Sequence, residues 1–157
     1  TSMEDCMVAL ANRWRERLQR RDISIEVESV SKIPLALADN VQIEQVVTNL
    51  ISNAMHAMEP DGGAITITVQ PSKPQSELRG AHVVINIGDT GPGMTPEVLD
   101  RVFDPFFTTR QEGTGLGLAI SQRIITAHRG TIKVQSWPTV GTVFTIVLPA
   151  AIQEEHT

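Results

Sequence analysis

Five stretches of this chain alternate apolar and polar residues with the period of a β-strand, and helical stretches interrupt them in no regular order. The strands are "ISIEVES" (23–29), "AITITVQ" (64–70), "HVVINIGD" (82–89), "TIKVQS" (131–136) and "TVFTIVLP" (142–149). The second and third read as a pair joined by a polar, proline-containing loop. The last two read as a hairpin around "WPTVG". Residues 3–20 form an amphipathic helix, with Met3, Met7, Leu10, Trp14 and Leu18 recurring at three- and four-residue steps. A second helix runs from a cap at Asp39 or Asn40 to about Met58, where "EPDGG" turns the chain. "TPEVLDRVF" (95–103) opens with Thr95 as cap and Pro96 at the first helical position. "GLGLAISQRIITAH" (115–128) is a further helix, closed near Gly130. This order is not a βαβ repeat. It predicts an α+β fold: a two-layer sandwich of a mixed, mainly antiparallel sheet with about three helices on one face. A single domain over residues 1–150 is expected, with a patternless tail at 151–157.

Composition narrows the function classes. The 157 residues carry a net charge of −5 and only 4% aromatics, with no tyrosine, which argues against a nucleic-acid partner. The single cysteine, Cys6, rules out an internal disulfide and a cysteine-based zinc cluster. No apolar run reaches the roughly 18–20 residues that span a bilayer, so no membrane contact by this segment is expected. The opening "TSMED" lacks an initiator Met and reads as the front of an excised fragment. A cytoplasmic location follows as the expectation, with the parent protein free to be anchored in the inner membrane. The arginines at 13, 15, 17, 20 and 21 read as a solvated face near a helix C-terminus.

The second helix carries an unusual polar stripe. At about 100° per residue, Gln42, Gln45, Asn49, Asn53 and His56 fall within a sector of roughly 80°. Solvent-facing stripes normally use Glu, Lys and Arg. Amide oxygens four residues apart suit a hard cation such as Mg²⁺, while an uncharged surface stripe is the plainer reading. Two glycine-rich segments follow. In "NIGDTGPGM" (86–94) a strand runs into Gly88, Asp89, Gly91 and Gly93, either as a tight turn or as a loop that a ligand approaches closely. Asp89 is placed to accept a hydrogen bond from a ligand amino group. In "EGTGLGLAIS" (112–121) glycines at 113, 115 and 117 lead into a helix N-terminus, where free N–H groups suit phosphate. The Gly-Lys-Ser/Thr ending of a Walker A loop and the spacing of the dinucleotide fingerprint are both absent.

Taken in order, "NLISNAMHAM", "GDTGPGM", "FDPFFTTR", "GTGLGLAIS" and "GTVFTIVLP" resemble the N, G1, F, G2 and G3 boxes of the catalytic ATP-binding domain of sensor histidine kinases. That domain belongs to the family shared with DNA gyrase and mismatch-repair ATPases, and has a Bergerat-type fold. The resemblance covers about residues 23 to 149. It implies ATP and Mg²⁺ as cofactors, with Asn53 as metal ligand and Asn49 assisting. Asp89 would hold the adenine amino group, and Gly91, Gly93 and Met94 would shape its pocket. Gly113, Thr114, Gly115, Leu116, Gly117 and Leu118 would meet the phosphates, Arg110 and His56 would approach them, and Thr142 would reach adenine through water. Residues 95–112 would form a lid, with Phe103, Phe106 and Phe107 anchoring it or meeting the partner domain. The implied reaction passes the γ-phosphate to a histidine in the protein's own dimerisation domain, and from there to a response-regulator receiver domain in a bacterial phosphorelay.

Family members that hydrolyse ATP carry a Glu four residues before the metal Asn, as base for water; here that position is Asn49. Glu44 lies at about 180° from Asn53 on the helix and cannot substitute. Many histidine kinases have Lys and then an aromatic residue where this chain has His56 and Ala57. That difference and the short lid resemble the nitrogen- and dicarboxylate-sensing branch. None of His56, His82, His128 and His156 has a phosphoacceptor context, so the fragment alone is not expected to autophosphorylate. His128, at a helix end, would suit the dipole as an imidazolium. A nucleotide sensor without transfer activity, or a serine or dehydrogenase-type kinase of the same fold, are the competing readings.

Overall fold

The structure is a computed structural model that describes residues 1–30, 32–72, 80–107 and 117–151. In chain order the elements are α1 (Met3–Gln19), β1 (Ile23–Ser29), α2 (Asn40–Ala57), β2 (Gly63–Pro71), β3 (His82–Asp89), α3 (Pro96–Arg101), α4 (Gly117–Ala127), β4 (Thr131–Trp137) and β5 (Gly141–Pro149). All five alternating segments are strands, and they form one sheet in the order β1-β2-β3-β5-β4. Only β1 and β2 pair in parallel; the other neighbours are antiparallel. The parallel pair follows from the connection, because α2 must cross the sheet between the two strands.

Alternation divides the sheet into two faces. Ile25, Ile65, Ile67, Ile85, Ile87, Phe144 and Ile146 point to one side and are buried. Glu28, Thr68, Asn86, Thr145 and Lys133 stand in register across the other side, which no helix among the described residues covers. The three long helices pack on the first side: α1 against β1 and β2, α2 against β3, and α4 against β4 and α2. From α2 the sheet receives Ile43, Val46, Val47, Leu50, Ile51, Ala54 and Met55, all buried. The two-layer expectation therefore holds, with α3 as a short fourth helix that buries none of its residues.

Helix ends follow local chemistry. Asp39, not Asn40, caps α2, its carboxylate accepting the Gln42 N–H. Thr95 caps α3 and Pro96 stands in its first turn. His128 differs from the imidazolium reading. Its Nε2 accepts the Asp39 N–H at 3.2 Å, and its Nδ1 lies 2.8 Å from the Ile124 carbonyl. One nitrogen must accept and the other donate, so the ring is the neutral Nδ1-protonated tautomer. It ties the end of α4 to the start of α2. The basic run at 13–21 is largely exposed, and three of its arginines form ion pairs: Arg13 with Glu44 of α2 at 3.0 Å, Arg20 with Glu16 at 2.8 Å and Arg21 with Glu59 at 3.1 Å. No helix among the described residues is long and apolar enough to cross a membrane.

Ile67 lies on the central core face and is 0% exposed. Ile67→Ala is expected to lower unfolding free energy by about 2–5 kcal/mol, whereas Glu28→Ala on the open face stays within about 0.5 kcal/mol. Urea unfolding of the two variants checks the assignment of faces.

Candidate functional site

β3 ends at Asp89 in the middle of the sheet, with Ile65 of β2 beside it on one flank and Thr142 of β5 on the other. The chain leaves β3 through Gly91, Pro92 and Gly93 and passes beneath the tip of the β4–β5 hairpin. α2 lies over this end of the sheet. Between them opens a cleft, about 370 Å³ of empty space counting its solvent-open mouth, lined by Asn53, Ala54, Ala57, Asp89, Gly93, Met94, Leu118, Thr142 and Phe144. Residues 89 to 94, Asn53 and Thr142 are far apart in sequence, and the fold brings them to one wall.

Among the described residues of this lining, Asp89 alone has an ionisable side chain. Burial pushes its carboxyl above the ordinary aspartate range, and hydrogen bonds from the Gly91 and Thr142 backbones oppose that rise without cancelling it. The Gly91 N–H donates to Oδ1 at 2.9 Å. A half-buried acceptor with a perturbed carboxyl, in a concave site, is what an amino-bearing ligand needs. The loop beyond it is fixed by polar links. Thr139 N–H donates to the Pro92 carbonyl at 2.7 Å, and Met94 N–H donates to Ser136 Oγ at 2.7 Å. Gly93 has φ +74°, and a Cβ there would land on the Trp137 carbonyl oxygen. Glycine is required on both counts.

On α2 the amide stripe is graded. Gln42, Gln45 and His56 are exposed, while Asn49 and Asn53 are half-buried. Asn53 faces the cleft. Asn49 faces α4: its Nδ2 lies 3.4 Å from the Gly117 carbonyl and 3.4 Å from Ser121 Oγ. A carbonyl can only accept, so the amide nitrogen points to α4 and Oδ1 is turned away from it. Ser121, fully buried, donates to the same carbonyl at 2.9 Å. One ring nitrogen of His56, Nδ1, lies 2.7 Å from the Ser52 carbonyl of its own helix. Glu44 sits on the far side of α2, against Arg13 and Cys6 of α1.

Of the residues singled out in the sequence, the cleft thus gathers Asn53, Asp89, Gly93, Met94, Leu118 and Thr142. Gly91 is buried behind Asp89, and Gly117 opens α4 beside Asn49. Asn49 and His56 stand outside the lining. Arg110, Gly113, Thr114, Gly115 and Leu116 lie outside the described residues. In the lid segment Phe103 packs edge-on against Phe144, with ring centres 6.3 Å apart. Phe107 lies under the Arg101 guanidinium at 4.7 Å, and Phe106 is exposed. Sequence reasoning missed Phe144, Ser121 and Ser136. Phe144 was within reach, since it lies two residues beyond Thr142 and shares its face of β5.

Two outcomes follow. Gly93→Ala should cost at least about 1–3 kcal/mol from the backbone conformation alone, and more from the carbonyl clash; thermal unfolding measures it. Because the folded-state carboxyl of Asp89 is raised, the native protein holds that proton longer than the unfolded chain. Its contribution is full below the unfolded value and is lost as pH rises through the raised folded value. Asp89→Asn, which has no charge to bury, should therefore gain stability relative to wild type across that window, as denaturation at a series of pH values would show.

Residues 38–152 match the family described as histidine kinase-, DNA gyrase B-, and HSP90-like ATPase. Sensor histidine kinase ZraS of Salmonella typhi is 36% identical over 98% of this chain. Sensory histidine kinase/phosphatase NtrB of Vibrio alginolyticus is 41% identical over 83%. The chain spans 32% and 38% of the length of these two relatives. Among solved structures, the nucleotide-free catalytic domain of histidine kinase ThkA superposes with a TM-score of 0.78 at 28% identity, covering 96% of this chain and 93% of that one. Full-length ShkA in complex with AMPPNP gives a TM-score of 0.81 at 29% identity, covering 98% of this chain and 31% of that one. The fold, the cleft at the end of β3 and these likenesses agree: the chain belongs to the histidine kinase-, DNA gyrase B-, and HSP90-like ATPase family, on its histidine-kinase branch.

Proposed function

We propose that this chain is the catalytic domain of a sensor histidine kinase, binding ATP in the cleft between α2 and the end of β3. It presents the γ-phosphate to a histidine on a dimerisation domain of the same protein, for onward transfer to a response-regulator aspartate. The observation that carries this reading is the presence of Asp89 and Asn53 in one lining. Asp89 accepts a hydrogen bond from the adenine amino group, and Asn53 faces the phosphate end.

Mg²⁺ fits this donor set in one way. No cluster of three or more His, Cys, Asp or Glu side chains able to hold a metal exists among the described residues. Asn53 would hold the ion through its amide oxygen, a ligand suited to a hard cation, alongside oxygens of the triphosphate. When bound, the ion neutralises charge on the phosphates. Arg110, His56 and the glycines at 113, 115 and 117 are proposed to meet the phosphates, and Asn49 to assist Asn53 once its Oδ1 is drawn towards the ion.

Phosphoryl transfer to a protein nucleophile suits the cleft better than hydrolysis. The family's hydrolytic base would stand at position 49, where an amide is engaged with α4. The one carboxylate in the lining, Asp89, is committed to the base end, and Glu44 points away. With no base for water placed at the cleft among the described residues, positioning and charge neutralisation carry the rate.

Calorimetric titration with ATP, with and without Mg²⁺, tests the site. Wild type should bind and Mg²⁺ should strengthen binding. Asp89→Asn should lose about 1.5–3 kcal/mol, roughly tenfold or more in affinity. Equal binding by the variant would remove the adenine assignment. Labelled ATP with the upstream histidine domain supplied in trans then separates kinase from sensor, since tight binding without label on histidine would mark a sensor.

A further inference from the structure

Ser136 lies one strand behind the cleft wall and has no part in the lining. It stands on β4 directly opposite Thr142 of β5. Three polar groups converge on its hydroxyl: the Met94 N–H at 2.7 Å, the Gly141 carbonyl at 3.2 Å and Thr142 Oγ1 at 2.8 Å. A hydroxyl has one proton and two lone pairs. Met94 occupies one lone pair, so the proton has two claimants. If it goes to the Gly141 carbonyl, Thr142 must donate its own proton to Ser136 and offers the cleft only lone pairs. If it goes to Thr142 Oγ1, the shorter contact, the Thr142 proton is free to turn into the cleft. The hydrogen-bonding character of Thr142 is therefore decided at Ser136.

That choice bears on the base. Thr142 pairs with Asp89 across β3 and β5, and both line the cleft. Adenine presents an amino group beside a ring nitrogen that can only accept. Asp89 suits the amino group, and the ring nitrogen needs a donor, directly or through one water. We propose that Ser136 is a positioning residue for base recognition: its proton directs the Thr142 hydroxyl to donate, while its lone pair holds the Met94 end of the loop on the β4–β5 hairpin. One serine thereby couples loop position to the donor pattern that tells an amino-bearing purine from a 6-oxo purine. This rests on the ATP-binding reading above.

The test compares ATP with inosine triphosphate, whose base reverses the donor pattern at the same two atoms, in calorimetric titrations of wild type, Ser136→Ala, Ser136→Thr and Ser136→Cys. Ser136→Ala should weaken ATP about tenfold and inosine triphosphate by no more than about twofold, so that the ratio between them falls. Ser136→Thr, which keeps the hydroxyl, should restore the ratio to within about threefold of wild type. An unchanged ratio in Ser136→Ala overturns the inference, including the case in which both nucleotides weaken together as thermal stability drops, which would make Ser136 a structural link only. If Ser136→Ala does not fold, Ser136→Cys decides, because a folded thiol variant with the wild-type ratio also overturns it. Failure of wild type to bind ATP at all would instead count against the proposed function.

Discussion

Burial of one face of α2 is the constraint on which the site depends. Seven residues of that helix are buried against the sheet and its neighbours, and they fix the helix in rotation as well as in place. At about 25 cal/mol per Å² of apolar surface, each fully buried Val, Leu or Ile contributes roughly 1.5–3 kcal/mol, well above what a hydrogen bond or a cap supplies. The amide stripe has no choice of direction once those residues are in. Asn53 is carried to the cleft and Asn49 to the start of α4, about a turn apart on the same helix. His128 reinforces this by joining the end of α4 to the Asp39 backbone at the α2 cap.

The second determinant is the pairing of β3 with β5. It sets Asp89 opposite Thr142 and leaves a carboxylate at the end of a central strand. Desolvation works against the charge there, and two backbone N–H groups work for it; the raised carboxyl shows that desolvation prevails. Such a group gains from any ligand that brings it another donor. Beside it Thr142 lines the same cleft, and Ser136 on the next strand hydrogen-bonds to the Thr142 hydroxyl from outside the lining.

Much of this was legible in the sequence, for physical reasons. Period-two alternation gave all five strands, because one sheet face is buried and the other is open. Asp89 and Gly93 stood out because glycine and an acid at a strand end have few structural uses. The strand order was not legible: β5 inserts between β3 and β4, and nothing local to a strand names its neighbour. The partner of Asn49 escaped as well, since helical spacing gives a direction but not the element that fills it. Ser136 and Ser121 are single hydroxyls inside regular elements, and their importance arises only from what the fold sets opposite them. His128 was read as a surface or satisfied histidine whose charged form would suit the helix end; it is satisfied, by the Asp39 N–H and the Ile124 carbonyl, and spacing could not name those partners. The candidate phosphate residues at 110 and 113–116 lie outside the described residues.

Nucleotide is proposed to occupy the cleft between α2 and the end of β3. Backbone amide shifts followed by NMR during titration with ATP and Mg²⁺ test it most directly. Nucleotide in the cleft should give the largest changes at Asn53, Gly91, Gly93, Met94 and Thr142, with Glu26, Thr68 and Lys133 on the open face of the sheet nearly still. Large changes confined to the open face, or saturation without movement at Gly91, Gly93 and Thr142, would contradict it.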